Sequence, residues 1–123
     1  MDLSAELLSA GQSRKIGLTR EAIEHEIESR LRAADLFKIE TSQYLSADVN
    51  LSDSGDAFTT SLSLNRYVMD MGYGIGGFVT VWTTSTLGTH EGDSKPILRA
   101  IALLTDKFLG DYLPVNQREC DQN

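Results

Sequence analysis

Apolar residues recur at Ile23, Ile27, Leu31 and Ala34. A four-residue rhythm drifts slowly around a helix and forms one buried stripe. Glu21, Glu24, Glu28, Arg30 and Arg32 fall largely outside it, so the pattern predicts a one-faced surface helix over residues 19–34. Thr19 suits the N-cap, and Leu18 with Ile23 suits a hydrophobic staple. The period then changes to two. YLSADVNLS sets Leu45, Ala47, Val49 and Leu51 against Ser46, Asp48 and Asn50, which predicts a strand buried on one side. AFTTSLSLNRYVM sets Phe58, Thr60, Leu62, Leu64 and Val68 against Thr59, Ser61, Ser63, Asn65 and Tyr67, a second strand over 57–69.

The third strand, Phe78 to Leu87, carries bulk on both faces. Val79, Val81 and Leu87 share one, and Phe78, Thr80, Trp82, Thr84 and Thr86 the other. GTHEGD then turns the chain into its most apolar helical segment, SKPILRAIALLTDKFLGDYL. Its stripe is Ile97, Ala100, Ile101, Leu104 and Phe108, widened by Leu98, Leu109 and Tyr112. Asp93 or Ser94 caps it, Pro96 sits in the first turn, and Leu113-Pro114 is expected to stop it. The short run LFKIET reads as a brief extended segment, SDSGDA as a turn, and MGYGIGG as a hairpin. Residues 1–14 are weakly patterned, because Leu3, Leu7 and Leu8 fit a helical turn and an edge strand equally. Residues 115–123 read as a polar tail, and the chain as one domain.

These elements give the order α-β-β-β-α. The expected fold is an α+β two-layer sandwich: an antiparallel meander of three main strands, with one or two short extra strands, and two helices on one face. The other sheet face stays open. Ser46, Asp48, Ser61, Ser63 and Thr80 suit such a face; Tyr67, Met69, Phe78 and Trp82 do not, and Thr80 and Thr84 flank Trp82 on it. Apolar surface of that kind predicts a partner or small-ligand surface, with a homodimer favoured. A bulge in the third strand would instead turn Trp82 toward the helices.

Composition narrows the partners. The chain has 123 residues, 41% of them hydrophobic and 24% charged, enough for a single sizeable core without a staple. Its formal charge of −7 disfavours nucleic acid and anionic membranes, and no apolar run approaches the ~20 residues of a membrane span. The single cysteine, Cys120, excludes an internal disulfide. No signal segment is visible, so the sequence suggests the cytoplasm if it is complete and the periplasm if a leader has been removed.

The strongest polar cluster is TLGTHEGDS, where His90 with Asp93 or Glu91 sits at a strand-to-helix junction that suits a small hydrolase. The plainer reading makes Asp93 a cap and His90 a turn residue. His25, between Glu21 and Glu28, reads as part of a solvated salt-bridged face. Gly72, Gly74, Gly76 and Gly77 precede a strand and lack the Lys-Ser/Thr of a phosphate loop, so no cofactor is expected. Two histidines and a tail cysteine make a poor zinc set, so no metal is expected either.

GLTREAIEHEIESRLRAADL, LSLN, VTVWTTSTLGT and LTDKFLGDYLPVN together resemble a family of small bacterial α+β proteins of unknown function, many made with an export signal. The resemblance spans residues 17–116. It implies a helix followed by a three-stranded meander and a closing helix, and structural roles for Trp82, Gly88, Tyr112 and Asn116. It implies no activity. The chain departs from the pattern in lacking a visible signal segment, in Pro114 where a basic residue is common, and in its glycine-rich third connection.

Overall fold

The computed structural model describes residues 1–8, 10–36, 43–52 and 56–121, the side chains of 10–12 and 115–121 excepted. The elements are β1 (Asp2–Leu7), α1 (Ala10–Lys15), α2 (Arg20–Ala33), β2 (Gln43–Leu51), β3 (Ala57–Asp70), β4 (Ile75–Thr89) and α3 (Lys95–Asp121). Four strands form one sheet in the order β1-β2-β3-β4. β2, β3 and β4 make the expected antiparallel meander, while β1 pairs parallel to β2, so the sheet is mixed. Most of the segment LFKIET and the centre of the turn SDSGDA lie outside the described residues.

β1 resolves the choice that the N-terminal residues left open, in favour of the edge strand. Leu3 and Leu7 are four apart, a spacing that both a helix and a strand satisfy. Buried Ala5 between them completes a period of two, and Asp2, Ser4 and Glu6 take the other parity. Parallel pairing needs a crossover, and α1 with α2 supplies it. α1 itself had no counterpart in the sequence reading.

Both long helices cover one face of the sheet. Thr19 caps α2, its Oγ1 accepting the Ala22 N–H at 3.1 Å. Ile23, Ile27 and Leu31 of α2 meet Leu45, Ala47, Val49 and Leu51 of β2 and Phe58, Leu62 and Leu64 of β3. Ile97, Ala100, Ile101, Leu104 and Phe108 of α3 close the same core. α2 and α3 also touch at their surface, where Arg30 Nη1 reaches Asp106 Oδ1 at 2.6 Å. That pair is well solvated and worth at most about 1 kcal/mol.

Two further expectations are corrected. α3 continues through Pro114 to Asp121. A proline removes one bond of the helical ladder and leaves its neighbours standing, so it kinks a helix without having to end it. The second correction concerns Trp82 and Thr84, which lie on the helix side of the sheet. The pairing of β3 with β4 shifts by one residue: Leu64 faces Trp82, but Asn65 faces Thr80, leaving Val81 as a β-bulge. Because side chains alternate with a period of two, one extra residue reverses the faces of everything beyond it. Phe78 and Thr80 therefore keep the open face, while Trp82, Thr84 and Thr86 pass to the covered one.

Candidate functional site

The bulge divides β4 into two halves with different surroundings. C-terminal to it, Trp82 packs edge-on against Phe108, with ring centroids 5.3 Å apart, and its Nε1 donates to Asp111 Oδ2 at 3.1 Å. Tyr112 extends the stack at 5.0 Å from Phe108, and its hydroxyl donates to Gln43 Oε1 at 3.2 Å. Gly88 is paired with Phe58, and a Cβ there would lie 2.9 Å from the Phe58 ring. That ring is buried and cannot yield, which explains the glycine.

N-terminal to the bulge the strand leaves the cover of the helices. β2 begins at Gln43, which pairs with Arg66, so among the described residues Tyr67–Asp70 and Ile75–Phe78 pair only with each other. They form a two-stranded arm. Asp70 shapes its tip: its carbonyl accepts the Gly74 N–H at 2.8 Å and its Oδ1 the Gly72 N–H at 2.9 Å, with Gly74 at φ 65°. This is the expected hairpin. At Gly76 a Cβ would run into the Tyr67 ring, which lies across the strand.

The arm is apolar and wet. Nine of the thirteen exposed large hydrophobic residues among those described lie between Tyr67 and Val81, and Met71, Tyr73 and Ile75 at the tip are 85%, 81% and 67% exposed. Where the arm joins the sheet, Phe78 makes edge-on contacts with Tyr44 at 5.0 Å and Tyr67 at 5.4 Å. These three rings, with Met69 beside them, form the aromatic end of the open face. Tyr44 was missed although it opens the alternating run of β2, where its parity with Ser46 and Asp48 was the available signal. A polar relay borders the rings: Thr80 Oγ1 donates to Asn65 Oδ1 at 2.8 Å, and Asn65 Nδ2 donates to Ser46 Oγ at 3.0 Å. Ser and Thr dominate the centre of the remaining face, with the Ser63 and Thr83 hydroxyls 2.9 Å apart, and Asp48, Asn50 and Leu87 lie around them.

The polar cluster at the β4–α3 junction builds a turn. His90 is buried; its backbone N–H donates to the Asp56 carbonyl and its Nδ1 accepts the Gly92 N–H, both at 2.9 Å. The ring proton is therefore on Nε2. Asp93 Oδ1 accepts the Lys95 N–H at 3.0 Å, as a cap does, and Glu91 is an exposed residue at φ 52°. Nothing in this arrangement supports the hydrolase reading of the three residues. Among the described residues no group of three or more His, Cys, Asp or Glu converges on a metal position, and no helix is long and apolar enough to cross a membrane.

No protein family and no curated protein matches the chain in sequence. Two solved structures are weakly similar. A candidate lipoprotein from Caulobacter crescentus CB15 is 13% identical with a TM-score of 0.34, over 89% of this chain and 85% of that one. A minor lipoprotein from Acinetobacter baumannii is 12% identical with a TM-score of 0.33, over 94% of each.

Proposed function

We propose that the chain is a binding module whose contact surface is the β3–β4 arm together with the aromatic end of the open sheet face. The single observation that carries this reading is the concentration of exposed apolar side chains on the arm, Met71, Tyr73 and Ile75 above all. A two-stranded ribbon is marginal by itself in water, and a contiguous apolar surface of this size is what contact sites are made of. Burying one such side chain contributes on the order of 1.5–3 kcal/mol, so several together offset a large part of the entropy lost on association. Between Tyr67 and Thr89 the only charged residue is Asp70. A partner therefore meets a surface with a single carboxylate on an otherwise acidic molecule, and recognition is by shape and apolar burial.

The test is a double variant, Met71→Ser with Ile75→Ser, compared with wild type by light scattering and by fluorescence of a hydrophobic dye. Both positions are solvated, so folding is expected to persist by circular dichroism. Wild type is expected to self-associate or bind the dye, and the variant to lose that behaviour at least several-fold. Identical mass and identical dye binding in the two proteins would leave the arm inert and remove the reading.

A further inference from the structure

β4 is the edge of the sheet, and it is an unusual edge. It runs for 15 residues, about 50 Å at ~3.4 Å per residue, and holds no charged residue and no proline. Sheet edges carry unpaired backbone N–H and C=O groups, and proteins that must stay apart blunt them with charge, proline or brevity. The opposite edge is blunted in that way: β1 has 6 residues and carries Asp2 and Glu6. β4 has only the bulge at Val81.

The two halves of β4 complement each other. The C-terminal half lies under α3, which leaves a cleft of about 280 Å³ along the strand, lined in part by Thr84, Thr86, Leu103 and Leu104. Leu103 is 64% exposed there. The N-terminal half has lost its helix cover, and Val68 and Val79, on the helix side of the arm, are exposed. One half offers apolar side chains without a roof, and the other offers a roof with an unfilled margin.

We infer that the partner of this edge is a second copy of the same chain, paired antiparallel to it, β4 to β4, about a two-fold axis near the bulge. This rests on the contact-surface reading above and names the occupant. Antiparallel self-pairing is the arrangement that lays each uncovered half beside the covered half of the copy, twice and identically, as a closed two-fold interface requires. The sheet becomes continuous across the axis, with eight strands. Val68 and Val79 of each arm pass under the margin of the partner subunit's α3, and the edge amides and carbonyls of both strands are satisfied. Charge points to the same place. Two molecules of formal charge −7 repel across most of their surfaces, and β4 brings no carboxylate against its own copy, whereas β1 paired with itself would.

Light scattering and amide hydrogen exchange on three single variants test this, each at an exposed position so that the monomer fold is retained: Leu103→Glu, Val81→Glu and Phe78→Glu. Wild type is expected near twice the 13.5 kDa chain mass, with β4 amides between Thr83 and Leu87 that lose protection on dilution. Leu103→Glu and Val81→Glu are expected to be monomeric at concentrations where wild type is at least nine-tenths dimer. Phe78→Glu, on the open face, is expected to remain dimeric. A monomeric Phe78→Glu beside a dimeric Leu103→Glu would overturn edge pairing while leaving the open-face contact surface standing. A wild type that stays monomeric at high concentration but binds the dye through its arm would overturn the second copy as partner and spare the binding-module reading. Three variants all dimeric like wild type would overturn edge pairing, and the double variant Met71→Ser with Ile75→Ser then decides the contact-surface reading.

Discussion

The two halves of β4 share a strand and a partner in β3, yet they solve opposite problems. From Trp82 onward each inward side chain meets α3, and the chain spends bulk on filling: Trp82 against Phe108, Phe58 across Gly88. From Ile75 to Val81 the strand has no layer above it. The rings of Tyr67, Phe78 and Tyr44 contact one another and remain half in water. Whether a β-branched or aromatic residue is structural here depends on the second layer, and the two halves show both outcomes within 15 residues. The arm therefore has apolar surface left over for contact, while in the covered half of β4 the large exposed apolar side chain is Leu87, on the open face.

Four measurements would break or sharpen that contrast. The largest effect is expected for Phe108→Ala, which removes a fully buried ring joining α3 to Trp82 and should cost about 3–5 kcal/mol in urea denaturation. A loss near 1 kcal/mol would mean that the aromatic stack does not anchor the covered half. Next comes the pair Trp82→Ala and Phe78→Ala. The half-buried indole and its bond to Asp111 should cost about 2–3 kcal/mol, whereas Phe78, exposed, should change monomer stability by no more than about 0.5 kcal/mol. Equal losses at the two sites would erase the distinction between the halves.

Glycines probe the same boundary. Gly88→Ala drives a Cβ into the immobile Phe58 ring and should cost about 1–3 kcal/mol, while at Gly76→Ala the exposed Tyr67 ring can swing aside and the change should stay within about 0.5 kcal/mol. A thermal melt that ranks Gly76 as the costlier site would contradict the surroundings described for the two rings. The smallest effect is a gain. Thr60 is buried beneath the helices and its Oγ1 has no hydrogen-bond partner among the described residues, so the isosteric Thr60→Val should raise stability by about 1 kcal/mol, seen as a higher Tm. A destabilised valine variant would show that the hydroxyl is satisfied after all.

Much of the covered half was legible from the residues. Leu45, Ala47, Val49 and Leu51 are all buried, as are Ile23, Ile27 and Leu31, because a strand or helix with one dry face writes its own period into the sequence. The cap at Thr19 and the hairpin at the glycine-rich turn were legible for the same reason: each is decided within a few residues. β1 was not, since its short run fits two periods and its parallel pairing is made with residues about forty positions away. The candidate surface was half legible. Tyr67, Met69, Phe78 and Thr80 were placed together on the open face, but Trp82 and Thr84 were placed with them, and the bulge at Val81 removes both.

The sequence by itself determined which residues could form each layer, because burial of one face imposes a local period that any reader of the chain can count. Only the tertiary structure decided where that layer ends. The extra residue at Val81 is absorbed by pairing with β3, and the arm is bare because the helices stop short of it. Both are relations between segments distant in the chain, and no local spacing encodes them.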